Sequence, residues 1–270
     1  MIKNLISKIG FLLFISAPVG VVAQDDSGGS SASDLAKQLA NPVASLISVP
    51  LQNNFEFNVG PNEGFKYLLN VQPVIPMSLS ENWNLISRTI VPIVSQSDVF
   101  VDGQSDSGMG DIAQSLFFSP KEPTEGGLVW GVGPVLLLPT ATNDALGAHV
   151  WGAGPNAVFL KLKGQLTYGA LINHMWSYAG DGNPLSASFV QPFFTYATPS
   201  GSSYTIAAEN TQSWLNDIFT GFIGVYYAKV TKLGKQMIQL GGGPKVYYGN
   251  SPLNPDWGLR LNLILLYPKS

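Results

Sequence analysis

Trp257-Gly258-Leu259-Arg260-Leu261-Asn262-Leu263-Ile264-Leu265-Leu266-Tyr267 divides by alternation into two unlike faces. Trp257, Leu259, Leu261, Leu263, Leu265 and Tyr267 share one side, with Arg260 and Asn262 on the other. Side chains alternate across a strand with period two, so this stretch reads as β-structure. An apolar stripe with an aromatic residue at each end matches a strand that faces lipid between two interfacial girdles. The side carrying Arg260 and Asn262 must then face away from lipid.

The same alternation recurs upstream. Tyr67, Leu69, Val71, Pro73 and Ile75 oppose Asn70 and Gln72. Trp151, Pro155 and Phe159 oppose Asn156, and Val190, Pro192, Phe194 and Tyr196 oppose Gln191. Strands are expected at about 45–57, 66–77, 82–94, 109–118, 128–139, 150–162, 166–178, 187–198, 202–213, 218–230, 236–248 and 257–267. Their even number suits a bacterial single-chain barrel, which joins short turns at the periplasmic end to longer loops outside. Most connections alternate in that way. Ser119 to Gly127 is long for a turn and Trp214 to Asp217 is short for a loop. The expected fold is all-β, a closed antiparallel transmembrane barrel over residues 45–270, with both termini in the periplasm.

Composition agrees. Charged residues make up only 11% of the chain, against about 25% in soluble proteins, so its surface suits lipid better than water. Lys3 and Lys8, the apolar run Phe11 to Val22 and the small residue Ala23 form a secretory leader, expected to be cleaved after residue 23. Its removal leaves 12 basic and 17 acidic residues, a net charge of −5, which argues against nucleic acid as a partner. The chain contains no cysteine, so neither disulfides nor a lipid-anchored N-terminus is expected. Residues 24–44 form a linker and a short helix. The Gly/Ser-rich start is followed by a capped helical stretch from Ser33 to Ala40 that stops before Pro42. A periplasmic lead-in is the plain expectation for that helix, and a small plug inside the barrel is the alternative.

Pro73, Pro134, Pro155, Pro192 and Pro244 fall inside expected strands. Proline cannot donate to a sheet ladder and a closed barrel has no edge, so bulges are expected there.

Alternation and the cost of charge in lipid nominate lumen-facing residues. They are Gln52, Asn54, Glu56, Gln72, Arg88, Asn156, Gln191, Glu209, Lys245 and Arg260. Arg88 and Arg260 could pair with Glu56 or Glu209. Such pairs fill a narrow lumen in one reading and sort solutes by charge in the other. Glycines at 131, 133, 152, 154, 241 and 243 are assigned inward too, either leaving space or letting neighbours pack.

Few residues suggest chemistry. His174 is placed in an interfacial girdle beside Trp176 and Tyr178 rather than in a catalytic site, because Ser177 falls on the opposite face. Asp98, Asp102 and Asp106 lack the spacing of a calcium loop and read as a solvated loop. Gly241-Gly242-Gly243-Pro244 lacks the Lys-Ser/Thr of a phosphate loop. No metal, catalytic residue or cofactor is expected.

Several stretches resemble a bacterial outer-membrane family called putative phenol-degradation MetA-pathway or transporter proteins, some of them labelled neuromedin U-like. They include Pro50-Leu51-Gln52-Asn53-Asn54-Phe55, Gln72-Pro73-Val74-Ile75-Pro76, Asn84 to Thr89, Trp130-Gly131-Val132-Gly133-Pro134, Trp176-Ser177-Tyr178-Ala179-Gly180 and Asp256-Trp257-Gly258-Leu259-Arg260. The resemblance runs from about Ser45 to Lys269. It implies a barrel that passes small, aromatic or hydrophobic molecules, and it transfers no catalytic residue. The combined expectation is a passive outer-membrane channel whose partners are membrane lipids, small solutes and the barrel-assembly machinery. The alternatives are a barrel enzyme acting on lipids and a structural or surface-interaction barrel with a blocked lumen.

Overall fold

The computed structural model describes residues 31–267. The expected leader and the first part of the linker lie outside that range.

Fourteen β segments follow one helix. They are β1 (Ile47–Val59), β2 (Gly64–Val71), β3 (Val74–Ser78), β4 (Trp83–Ser97), β5 (Ser105–Met109), β6 (Ile112–Pro120), β7 (Leu128–Leu138), β8 (Trp151–Lys163), β9 (Leu166–Ala179), β10 (Ser186–Ala197), β11 (Ser202–Ser213), β12 (Ile218–Leu233), β13 (Gln236–Gly249) and β14 (Trp257–Tyr267). β2 and β3 pair with β4 in succession and form one barrel strand; β5 and β6 do the same on the other side of β4. The barrel therefore has twelve strands. Each pairs antiparallel with its neighbours, and β14 closes the sheet on β1 from Ile47 opposite Tyr267 to Phe57 opposite Trp257. Closure leaves no open edge, as a spanning sheet requires.

The alternation governs the faces. Trp257, Leu261 and Tyr267 are exposed on the outer surface, while Gly258, Arg260 and Leu266 between them are buried. Ile47 and Tyr267 lie together at the barrel end that carries the short turns, such as 164–165 and 234–235. The long connections 139–150 and 250–256 gather at the other end.

The bulges expected at the prolines are not formed. Gly224 faces Lys245 and Tyr227 faces Gly242, so the β12–β13 register runs past Pro244 unchanged. Pro134 sits directly opposite Pro155 within a continuous β7–β8 register. The register past Pro192 and past Pro73 is equally regular. Each proline points outward and its ring replaces one donor. The ladder loses a bond there without needing an extra residue. The register does slip by one near Pro92, where Ile93 faces Met109 but Ile90 faces Ala113. There the Pro92 carbonyl accepts the Gly110 amide at 2.9 Å.

The helix α1 (Ala32–Leu39) begins one residue before the expected start. It is capped by Ser31, whose hydroxyl accepts the Asp34 amide. It is not a lead-in outside the barrel. Leu35 and Ala36 are fully buried against Ala197, Val230 and Leu266, all inward-facing residues at the turn end. The chain then crosses the lumen, and Val43 packs on the opposite wall against Ile86, Phe117, Val129, Val158, Leu160 and Leu171. Gly131 makes room for it: a Cβ there would lie 3.2 Å from the Val43 side chain. Residues 31–46 thus fill the turn end of the lumen as a plug, the alternative raised by the sequence.

Candidate functional site: the lumen

Above the plug, from the middle of the barrel toward the loop end, the inner wall turns polar. Lys245 on β13 is 1% exposed. Its ammonium donates to Asn54 Oδ1 at 3.1 Å and to Glu56 Oε1 at 3.3 Å, both on β1. β14 lies between those strands, and Gly258 stands opposite both Glu56 and Lys245. With no side chain at Gly258, the lysine crosses the strand; a Cβ there would meet Lys245 Cε at 3.1 Å. The Tyr247 hydroxyl completes the Glu56 shell by donating at 2.6 Å.

Arg260 makes the second half of the network. Its Nε donates to Asn54 Oδ1 at 2.7 Å and its Nη1 to Glu209 Oε1 at 2.8 Å. To reach Glu209 the guanidinium passes over Gly243, its direct neighbour on β13. It then lies over the rings of Phe222 and Tyr226 on β12, 5.1 and 5.4 Å from their centroids. Gln191 donates to the same Glu209 oxygen at 3.3 Å. Arg88 stands apart from the carboxylates: its Nη2 donates to Gln72 Oε1 at 2.9 Å, and Gln72 donates on to Gln52 at 3.4 Å.

The structure thus places six of the ten nominated residues, Asn54, Glu56, Gln191, Glu209, Lys245 and Arg260, in one side-chain network and three more, Gln52, Gln72 and Arg88, in a second beside it. Glu56 is paired with Lys245 and Glu209 with Arg260. Asn156 is separate: buried on β8, it faces Asn173 and neither its Oδ1 nor its Nδ2 has a partner among the described residues. Tyr226, Tyr247 and Phe222 were not picked out by alternation, although all three point inward from strands already assigned. Gln114 and Thr89 lie on the outer face, where they bond each other at 2.6 Å.

Between this layer and the plug lies a cavity of about 280 Å³. Arg88, Arg260, Gln72, Gln191, Asn262 and Tyr226 contribute polar wall, while Leu39, Leu46, Val74, Leu171 and Phe193 contribute apolar wall.

His174 points outward from β9 with its ring 4.1 Å from that of Trp176. Ser177 is not its partner, since its hydroxyl is engaged with Leu185. Ser188, directly opposite on β10, lies 2.8 Å from His174 Nδ1 and accepts the Trp214 indole N–H at 2.9 Å. The other ring nitrogen is 3.5 Å from Ser186 Oγ. A serine–histidine pair is therefore present on the outer face. No carboxylate or carboxamide of a described residue orients the imidazole, as a hydrolytic triad requires.

Asp98 in the 98–104 loop accepts the Gly103 amide at 2.7 Å, and Asp106 bonds Gln104. Among the described residues no group of three acidic, histidine or cysteine side chains converges to hold a metal.

The sequence matches no protein-family model and no curated protein. Among solved structures, the COG4313 outer membrane channel from Pseudomonas putida F1 shares 15% identity and superposes with a TM-score of 0.65, covering 83% of this chain and 96% of that one. The low-pH structure of OprB from Pseudomonas putida gives a TM-score of 0.31 at 8% identity, covering 89% of this chain and 100% of that one, too low to indicate a common fold. The chain is a closed twelve-stranded antiparallel β-barrel, and it shares that fold with an outer-membrane channel.

Proposed function

We propose that this protein is an outer-membrane channel that passes small molecules, apolar or aromatic ones among them, through its polar lumen by passive diffusion. Both termini lie on the periplasmic side in this reading. Membrane lipids and the barrel-assembly machinery are its other partners. The observation that carries the proposal is the lumen itself. A largely buried polar layer of Glu56, Lys245, Glu209, Arg260 and Arg88 lies inside a wall whose outer face is apolar. A barrel serving only as a brace would gain more from an apolar filling, because burying ion pairs is costly. The shared fold with an outer-membrane channel supports the same reading, and so does the resemblance to transporter proteins.

A second reading has one observation in its favour. Leu35 and Val43 pack against the barrel wall at the turn end, which suits a barrel with a blocked lumen. Solute entry separates the two. Proteoliposomes holding the purified chain should swell in an isotonic solution of a small permeant solute faster than empty vesicles. Swelling no faster than the empty control, from protein whose barrel is folded, favours the blocked barrel.

A further inference from the structure

The polar layer holds the cations Arg88, Lys245 and Arg260 and the carboxylates Glu56 and Glu209, and Lys66 faces Glu56 across the β1–β2 pair. Lys245 and Arg260 each have a carboxylate at 3.3 Å or less. Arg88 has none within 4.0 Å among the described residues, and one of its five N–H donors is used, on Gln72. Lys66 likewise forms no salt bridge among the described residues, but it does not line the cavity, so the unpaired positive charge that faces the cavity is that of Arg88.

Two further polar atoms of the same wall are buried and unpartnered. The Tyr226 hydroxyl and the Asn262 Oδ1 have no hydrogen-bond partner among the described residues, and both residues line the cavity. Buried polar groups are nearly always satisfied, so such atoms around a void mark where a ligand's polar end would sit, with the Tyr226 hydroxyl as donor and Asn262 as donor once its amide is turned to present Nδ2. The rest of the wall is different: Leu39 and Leu46 from the plug, with Leu171, Val74 and Phe193 from the barrel, offer apolar contact.

We propose that this cavity is a binding site for a small carboxylate borne on a compact apolar body, with Arg88 as its anchor. The proposal rests on the channel reading and names the class of solute that reading leaves open. A guanidinium offers two parallel N–H bonds to one carboxylate, and such charge-assisted pairs are about twice as strong as neutral ones. An inorganic cation would meet the excess positive charge; a neutral aromatic would leave Arg88 unpaired. A carboxylate satisfies the arginine, takes the Tyr226 hydroxyl as a further donor and sets its apolar body against Phe193 and Leu171.

The test is calorimetric titration of the purified full chain in detergent with benzoate and with benzyl alcohol, its neutral counterpart. Benzoate should bind about tenfold or more tightly than benzyl alcohol. Arg88→Gln should remove that preference, and Arg88→Lys should keep part of it because the charge remains without the fork. Equal affinity for the two probes, absence of benzoate binding, or an Arg88→Gln barrel that binds benzoate as well as wild type would overturn the proposal. A heat-dependent shift on gels shows that each variant is folded. If Arg88→Gln does not fold, Phe193→Ala replaces it: weaker benzoate binding supports the site and unchanged binding sinks it. Benzoate binding by a protein that admits no solute would refute the channel and leave the site. Solute entry without benzoate binding would refute the site and leave the channel.

Discussion

Replacing Lys245 with methionine keeps most of the length of the side chain and removes its charge. The change withdraws two hydrogen bonds, to Asn54 at 3.1 Å and Glu56 at 3.3 Å, and the ammonium 4.7 Å from the Phe222 ring centroid. Glu56 would keep the Tyr247 hydroxyl at 2.6 Å but lose its paired cation, with its side chain only 12% exposed. Breaking a buried pair by removing one partner costs about 3–5 kcal/mol, because the remaining charge stays desolvated. The residual Tyr247 bond and the Lys66 charge opposite Glu56 on β2 offset part of this, so about 3 kcal/mol is expected for Lys245→Met. That is roughly a hundredfold in the folding equilibrium constant. The double variant Lys245→Met with Glu56→Gln removes both charges of the pair and should recover more than about half of the loss, a coupling that a double-mutant cycle isolates. The assay is reversible urea unfolding from phospholipid vesicles, followed by tryptophan fluorescence. A loss under about 1 kcal/mol, or a double variant no more stable than Lys245→Met, would refute the view that this pair is a buried, mutually dependent unit.

Other outcomes follow from single contacts. Leu35→Glu places a charge at a site that is 0% exposed against Ala197, Val230 and Leu266; the plug should leave the lumen and solute flux should rise while the barrel stays folded, which vesicle swelling would show. Asp111 accepts the amides of Ala141, Ala148 and His149 at 3.0, 2.6 and 3.1 Å. Asp111→Ala should release the 139–150 loop, costing about 2 kcal/mol locally, and limited proteolysis should then cut there before it cuts wild type. His174→Ala should leave solute flux unchanged, and neither it nor wild type should hydrolyse phospholipid; hydrolysis by wild type that disappears in the variant would point to Ser188 as a nucleophile.

What the sequence reveals and what it hides divide along a physical line. Strand faces are local: Trp257, Leu261 and Tyr267 alternate with Arg260 because period two follows from the backbone alone. Pairing is not local. That Glu56 meets Lys245 depends on β14 closing against β1 with Gly258 between them, a register no single strand encodes. The same holds for Ser188, which reaches His174 only through the β9–β10 alignment. Helix α1 was legible as a helix from its polar start and its stop before Pro42, although its cap is Ser31 and not Ser33. Its place inside the barrel was not, because two leucines and a valine acquire a destination only once the walls formed by Leu266, Val230 and Phe117 exist. The prolines misled for a related reason. Their missing donors were visible, but whether the ladder bulges or merely drops a bond depends on the neighbouring strand, and here Pro134 and Pro155 face each other in register. Gln114 and Thr89 show the limit of assigning polar residues inward, since each satisfies the other on the outer face.

Planar-bilayer recording from the purified full chain tests the channel most directly. The account predicts discrete conductance steps that favour anions over cations, because Arg88 and Lys66, neither in a salt bridge among the described residues, leave positive charge unpaired in the lumen. It also predicts that the steps grow larger in Leu35→Glu. Silent bilayers from correctly folded wild type and Leu35→Glu alike would contradict it, and would leave a closed barrel that carries nothing across the membrane.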